Sequence, residues 1–94
     1  MLIRLVKLTL EENKINQFQQ VFEERRERIS NAKGCLGVAL LQDIHHPNIL
    51  FTHSKWDNEA SLNLYRNSEL FIETWKRVKP LFKAPAQAWS VQVK

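Results

Sequence analysis

The chain has 94 residues, 44% of them hydrophobic and 26% charged, with two Gly and three Pro. That length holds one domain, which buries roughly 60–65% of its unfolded surface around a modest core, and the composition excludes disorder and low-complexity sequence. No stretch approaches the ~20 apolar residues of a membrane span, and the lone Cys35 excludes an intramolecular disulfide framework. Fourteen Lys and Arg against ten Asp and Glu leave a charge of +4. The main basic cluster, Lys76, Arg77, Lys79 and Lys83, reads as complementing a helix C-terminus. Without aromatic–basic alternation, it does not favour a nucleic-acid partner. Arg4 and Lys7 interrupt the first apolar run, where a secretory core tolerates no charge, so the expected location is the reducing cytoplasm, with no membrane partner.

In chain order, residues 2–9 form a dense apolar run that reads as a strand. Thr9 and Glu12 have capping-box spacing and predict the start of a helix. Its buried stripe is Ile15, Phe18, Val21, Phe22 and Ile29, opposed by Asn16, Gln19, Gln20, Glu23, Glu27 and Arg28. Asn31, Lys33 and Gly34 close it. Gly34 to Ile44 reads as a second strand, His46-Pro47-Asn48 as a turn, and Ile49 to Trp56 as a third strand antiparallel to the second. A two-residue turn at Pro47-Asn48 would set Gln42 opposite His53 and Asp43 opposite Thr52. Asp57 is the expected cap of a short helix carrying Leu62, Leu64 and Tyr65. Asn67-Ser68 caps the next helix, with Phe71, Trp75, Val78 and Phe82 as its stripe and a ragged end at Pro80. Ala86 to Val93 completes the set as a fourth strand, with Trp89, Val91 and Val93 on one side.

This order predicts an α+β fold of ferredoxin-like βαββαβ type, in which right-handed crossovers lay both helical regions on one face of a four-stranded antiparallel sheet. The opposite face, about 400 Å² in footprint, is apolar too. Ile3 and Leu5 oppose Leu2, Val6 and Leu8; Leu36, Val38 and Leu40 oppose Cys35, Ala39 and Leu41; Ile49 and Phe51 oppose Leu50 and Trp56. Strands apolar on both faces are covered on both faces. A second copy of the chain is the expected cover, making the protein a homodimer.

Trp56 closing the third strand, Asn58-Glu59-Ala60 opening the next helix, and Tyr65-Arg66-Asn67-Ser68-Glu69-Leu70-Phe71 after it resemble the antibiotic biosynthesis monooxygenase domain. The resemblance covers nearly the whole chain, taken as a single domain over residues 1–94. It implies a dimeric α+β barrel and a cofactor-independent monooxygenase acting on a small quinol-type or polyketide-like aromatic and O2. The family's His-x-x-Ser-x-His-Phe pattern is altered: Tyr65 stands at its first His and Leu70 at its second, while Ser68 and Phe71 fit. The residues of the haem-degrading branch are absent at Val6, Tyr65 and Trp75, so haem is not an expected cofactor.

Within that frame, His53 and Tyr65 are the candidate catalytic residues. His53, in the third strand, carries an imidazole, the side-chain type that exchanges a phenolic proton near neutral pH; its alternative role is a structural bond to a neighbour such as Gln42. Tyr65 has a phenol able to bond a substrate oxygen. Trp56, Phe71 and Trp75 are the candidate pocket residues, although Phe71 and Trp75 also have the spacing of a core stripe. His45 and His46 flank a turn and do not form a metal set with His53, so no metal is expected, and the resemblance implies no other cofactor. Cys35 reads as a small buried residue. The altered motif leaves a second reading open, a non-catalytic domain of the same fold that binds a small ligand or serves as an interaction module.

Overall fold

In the computed structural model, which describes residues 1–94, the elements are β1 (Leu2–Thr9), a 3-10 turn (Glu12–Lys14), α1 (Ile15–Ser30), β2 (Cys35–Gln42), β3 (Ile49–Trp56), α2 (Glu59–Arg66), α3 (Glu69–Val78), a second 3-10 turn (Lys79–Leu81) and β4 (Gln87–Val91). The strands pair antiparallel in the spatial order β2-β3-β1-β4, the α+β ferredoxin-like arrangement expected from the order of elements.

Strand alternation divides the sheet into two surfaces. Arg4, Val6 and Leu8 of β1, Leu50, Thr52, Ser54 and Trp56 of β3, and Val38 and Leu40 of β2 share the helix-covered side. The core lies there, where Leu8, Leu10 and Leu50 meet Phe18, Val21 and Phe22 of α1 and Val78 and Leu81 beyond it. Each such side chain contributes about 1.5–3 kcal/mol by leaving water. On the other side the rows across the sheet are Leu41–Phe51–Lys7–Gln87, Ala39–His53–Leu5–Trp89 and Gly37–Lys55–Ile3–Val91. No element of the chain covers these rows, and Leu36, Leu41, Trp89 and Val91 are exposed.

Several local expectations need correction. Thr9 does not cap the first helix: it stays in the ladder opposite Ile49, and its carbonyl accepts from Lys83 N–H at 2.8 Å. Leu10 is fully buried and bridges to Phe82, so the chain cannot turn into a helix until the 3-10 turn, and α1 begins at Ile15 without a side-chain cap. The cap of α2 is Asn58, whose Oδ1 accepts from Ser61 N–H at 2.9 Å, one residue later than expected. Ser68 does cap α3, accepting from Phe71 N–H at 3.2 Å. The β2–β3 connection is longer than two residues. Asp43 Oδ1 accepts from the N–H groups of His45 and His46 and so winds the chain into a wider loop, and Gln42 pairs with Leu50 while His53 pairs with Ala39. Gln42 Nε2 donates to Pro47 O rather than to His53. A bulge at Leu36 breaks the alternation of β2, putting Cys35 opposite Trp56 on the helix side and leaving Leu36 exposed.

Gly34 leads into that bulge with φ +81°, and a Cβ there would meet Ser61 and Asp57, so both backbone conformation and space require glycine. Trp56, across the ladder from Cys35, is fully buried, its indole N–H donating to Ser54 Oγ at 2.9 Å.

The two long helices are joined by a charge pair that the apolar stripe did not reveal. Arg25 lies on the buried side of α1 and donates to both carboxylate oxygens of Glu73 on α3 at 2.8 and 3.0 Å, with a further bond to Val21 O. The hydrogen bonds from Arg25 hold the Glu73 carboxyl below its usual value of 4.5. A depressed carboxylate stabilises the fold above the unfolded value and loses that contribution as pH falls through the folded one. Glu73→Gln therefore melts below the native protein at neutral pH, and the gap closes as the buffer is acidified through and beyond the ordinary carboxylate range; thermal melts followed by circular dichroism check this.

Candidate functional site

A cavity of about 100 Å³ lies between the helix side of the sheet and the helices. Eleven of its sixteen lining residues are hydrophobic. Val6, Leu8 and Val38 form the floor on the sheet, Phe18, Phe22 and Ile29 one wall from α1, and Tyr65, Phe71 and Trp75 the other. The second wall follows from the break between α2 and α3. Asn67 ends one helix and Ser68 restarts the chain as the next, its hydroxyl donating to Tyr65 O at 2.6 Å while accepting from Phe71 N–H. That single side chain holds Tyr65 and Phe71 edge to face, 5.3 Å apart.

The aromatics continue on either side. Trp56 stacks on Tyr65 at 5.1 Å, Phe71 stacks on Trp75 at 5.8 Å, and Trp75 meets Phe82 edge-on at 5.5 Å. Such pairs each add about 0.5–1.5 kcal/mol beyond area burial, so the wall is stiff as well as apolar. Burial is the main cause that pushes the Tyr65 phenol up to about 12, and Cys35 nearby adds to it. Tyr65 is thus neutral at physiological pH and offers a hydroxyl hydrogen bond rather than a base.

Five polar side chains interrupt the apolar lining: Arg4, Thr52, Ser54, Arg66 and Thr74. Ser54 is occupied by the Trp56 indole. Thr74 Oγ1 is buried and has no hydrogen-bond partner in the protein; an orphaned buried hydroxyl costs about 1–3 kcal/mol. On one side the cavity adjoins a second hollow of about 240 Å³ toward β4, where Ala86 and Ala88 leave room. The two share Arg4, Val6, Arg66, Phe71 and Trp75.

The family model for antibiotic biosynthesis monooxygenase matches residues 1–77, taking in β1 to most of α3 and hence nearly the whole cavity lining. This chain belongs to that family. Solved structures extend the likeness to the full chain. It is similar to an antibiotic biosynthesis monooxygenase at 16% identity, with 100% of this chain and 99% of that one covered and a TM-score of 0.92. A conserved protein from Methanosarcina mazei Go1 matches at 22% identity, 100% and 94% coverage, and a TM-score of 0.92. Rv0793 from Mycobacterium tuberculosis matches at 11% identity, 99% and 94% coverage, and a TM-score of 0.89. At these identities the likeness speaks for the fold.

Against the pattern of the antibiotic biosynthesis monooxygenase family, Tyr65 and Phe71 face the cavity, Ser68 is the helix cap, and Leu70 lies outside the cavity lining. Of the residues singled out from sequence, the structure brings together Tyr65, Phe71 and Trp75; Trp56 stands behind Tyr65 without lining the cavity. His53 does not join them. Its pairing with Leu5 and Ala39 places it on the uncovered face, with the sheet between it and the cavity. His45 and His46 sit in the β2–β3 loop, and no three His, Cys, Asp or Glu side chains are grouped to hold a metal ion. Sequence reasoning passed over Arg4, Arg66 and Thr74. Two carried a readable signal: Arg4 has the parity of Leu2, Val6 and Leu8, and Thr74 falls three residues after Phe71 inside the α3 stripe.

Tyr65 is the sole tyrosine, so alkaline difference absorbance near 295 nm reports it alone. It is expected to ionise near pH 12 in the folded protein and near 10 after denaturation. Because burial opposes the charged form, the fold holds its full stability below pH 10 and loses part of it as pH rises through the interval. A native midpoint at 10 would remove the enclosed phenol from the site.

Proposed function

We propose that this chain is a cofactor-independent monooxygenase that oxidises a small quinol-type or polyketide-like aromatic in the cavity, and that it works as a homodimer. The observation that carries the first part is an aromatic wall, the parallel rings of Phe71 and Trp75 with Tyr65 edge-on to Phe71, facing an apolar floor with the unpartnered Thr74 among the lining residues. An aromatic ring fills such a space by stacking, and an oxygen on that ring accepts from the Tyr65 hydroxyl.

The chemistry resides in the electron-rich substrate. Loss of one proton gives an anion that transfers an electron to O2; the two radicals join through a new C–O bond as a peroxide. The O–O bond then breaks, and one oxygen stays on the substrate carbon as a carbonyl. In a substrate with a ring methylene, such as an anthrone, the other leaves as water with the hydrogen left on that carbon and one proton taken back from solvent, so that methylene and O2 are converted to ketone and water. In a hydroquinone the oxygen enters at a ring C–H, and hydroquinone and O2 are converted to hydroxyquinone and water. Tyr65, neutral at the working pH, stabilises negative charge on the substrate oxygen by donating to it. The proton passes to solvent at the open side of the cavity, since a phenol with a pKa of about 12 is a poor base. His53 takes no part in this step from its side of the sheet.

The dimer reading rests on the uncovered rows, in which the apolar Ile3, Leu5, Ala39, Leu41, Phe51, Trp89 and Val91 outnumber Lys7, His53, Lys55 and Gln87, with Leu41, Trp89 and Val91 exposed. Isologous pairing of two such faces removes both from water at once. His53 then lies within the interface, between Leu5 and Ala39.

Two measurements test the proposal. Anthrones and hydroquinones are expected to drive O2 uptake with one anthraquinone-type ketone or one hydroxyquinone formed per O2 consumed; Tyr65→Phe lowers kcat about tenfold or more, and His53→Ala leaves it unchanged. Absence of turnover with every such compound, or equal rates without O2, overturns the oxygenase reading in favour of a non-catalytic ligand-binding domain. Sedimentation gives twice the chain mass for the native protein and the chain mass for Leu41→Glu with Trp89→Glu, both being surface positions in the isolated chain; an unchanged mass overturns the dimer.

A further inference from the structure

We infer that the ligand of this cavity is an aromatic carboxylate, its ring against Phe71 and Trp75 and its carboxylate held between Arg4 and Arg66. This rests on the reading of the cavity as the substrate site and adds the charge of what enters it.

Two cations at the cavity lack carboxylate partners. Elsewhere in the molecule several basic groups have found them: Arg25 and Arg77 meet Glu73, Arg26 meets Glu23, and Lys83 meets Glu12. Arg4 and Arg66 meet none. Arg4 donates through Nη1 to Ser90 Oγ at 3.0 Å, which anchors the guanidinium on β4 and leaves its other donors free. Both arginines line the cavity and also the adjoining hollow, and neither lining contains an Asp or Glu. The mouth therefore carries two positive charges with no protein anion to balance them.

That placement works against stability. Arg4 occupies a helix-side strand position whose neighbours on the same face of β1 are Val6 and Leu8, and burial together with the nearby Arg66 charge weakens its hold on its proton. A merely structural side chain there would be apolar. Arg66 falls in the last turn of α2, where a cation complements the helix dipole, but that accounts for one arginine and not for two at a shared mouth. A carboxylate between them accounts for both, because guanidinium presents a planar fork that matches the two oxygens. The rest of the ligand is set by the neighbours: stacked aromatics 5.8 Å apart in centroid and the unpartnered Thr74 hydroxyl beside them in sequence.

The test uses the full chain and a matched pair of probes, 2-naphthoate and the neutral 2-acetylnaphthalene, with binding read by calorimetry and by quenching of tryptophan fluorescence. Naphthoate is expected to bind about tenfold or more tighter than the ketone, as one charge-assisted contact to each arginine allows. Arg4→Gln and Arg66→Gln each remove most of that preference and leave the ketone's affinity where it was. Arg4→Lys retains part of it, since the charge survives without the fork. Equal affinities in the native protein, a preference that survives the double Gln variant, or no binding of either probe overturns the inference. Oxygen uptake is scored separately. A carboxylate preference without any O2 consumption leaves the anion site standing and removes the oxygenase reading; turnover of neutral quinols with no carboxylate preference does the reverse.

Discussion

The central position of β1 and its antiparallel register on β3 and β4 govern everything else in this molecule. A strand in the middle of a sheet has one parity on each face, and a shift of one residue exchanges them. Here the even positions Arg4, Val6 and Leu8 look into the helix layer and the odd positions Ile3, Leu5 and Lys7 look away from it. The cavity, the covered core and the bare apolar surface are three consequences of that one choice. The same register carries β3 with it, so Thr52 and Ser54 reach the cavity while His53, one residue between them, cannot.

The helix layer over the even face is not packed to closure, and the reason is local. α2 has eight residues and α3 ten, separated at Asn67-Ser68. One unbroken helix would present a regular ridge to the sheet. The break instead turns Tyr65 and Phe71 toward each other and strings Trp56, Tyr65, Phe71, Trp75 and Phe82 along a single wall. Large flat rings fill space with few rotatable bonds, so the hollow they border keeps its shape. Glu73 and the buried Arg25 hold α1 to α3, spanning helices that the cavity would otherwise leave less firmly joined.

Polarity in the cavity is sparse and placed. Ser54 is committed to Trp56, Tyr65 is kept neutral by burial, and Thr74 is left without a partner. An apolar space with a few directed hydroxyls and a positively charged mouth binds by shape inside and by charge at the rim. On the function proposed above, the protein orients a reactive aromatic and steadies developing negative charge, while the electrons come from the substrate itself.

Much of the architecture was legible in the residues alone. The stripe of Ile15, Phe18, Val21, Phe22 and Ile29, the apolar runs of four strands, and the cap at Ser68 are local signals that tertiary structure had no reason to override, and they determined the order of elements, the α+β class and the two-faced sheet. The segment from Trp56 to Phe71 also carried the family. What only the tertiary structure decided depends on non-local pairing. Thr9 reads as a cap until Ile49 and Lys83 claim its backbone. The alternation of β2 reads as regular until the bulge at Leu36 shifts it. His53 and Tyr65 read as members of one site until strand parity sets them on opposite sides of the sheet. Arg4 and Arg66, sixty-two positions apart in the numbering, become a pair only because the helix returning from β3 ends over the first strand. Spacing along the chain reports periodicity and caps; which face meets which hollow is set by register, bulges and the turn between helices, and those are settled only when distant segments compete for the same backbone groups and the same apolar surface.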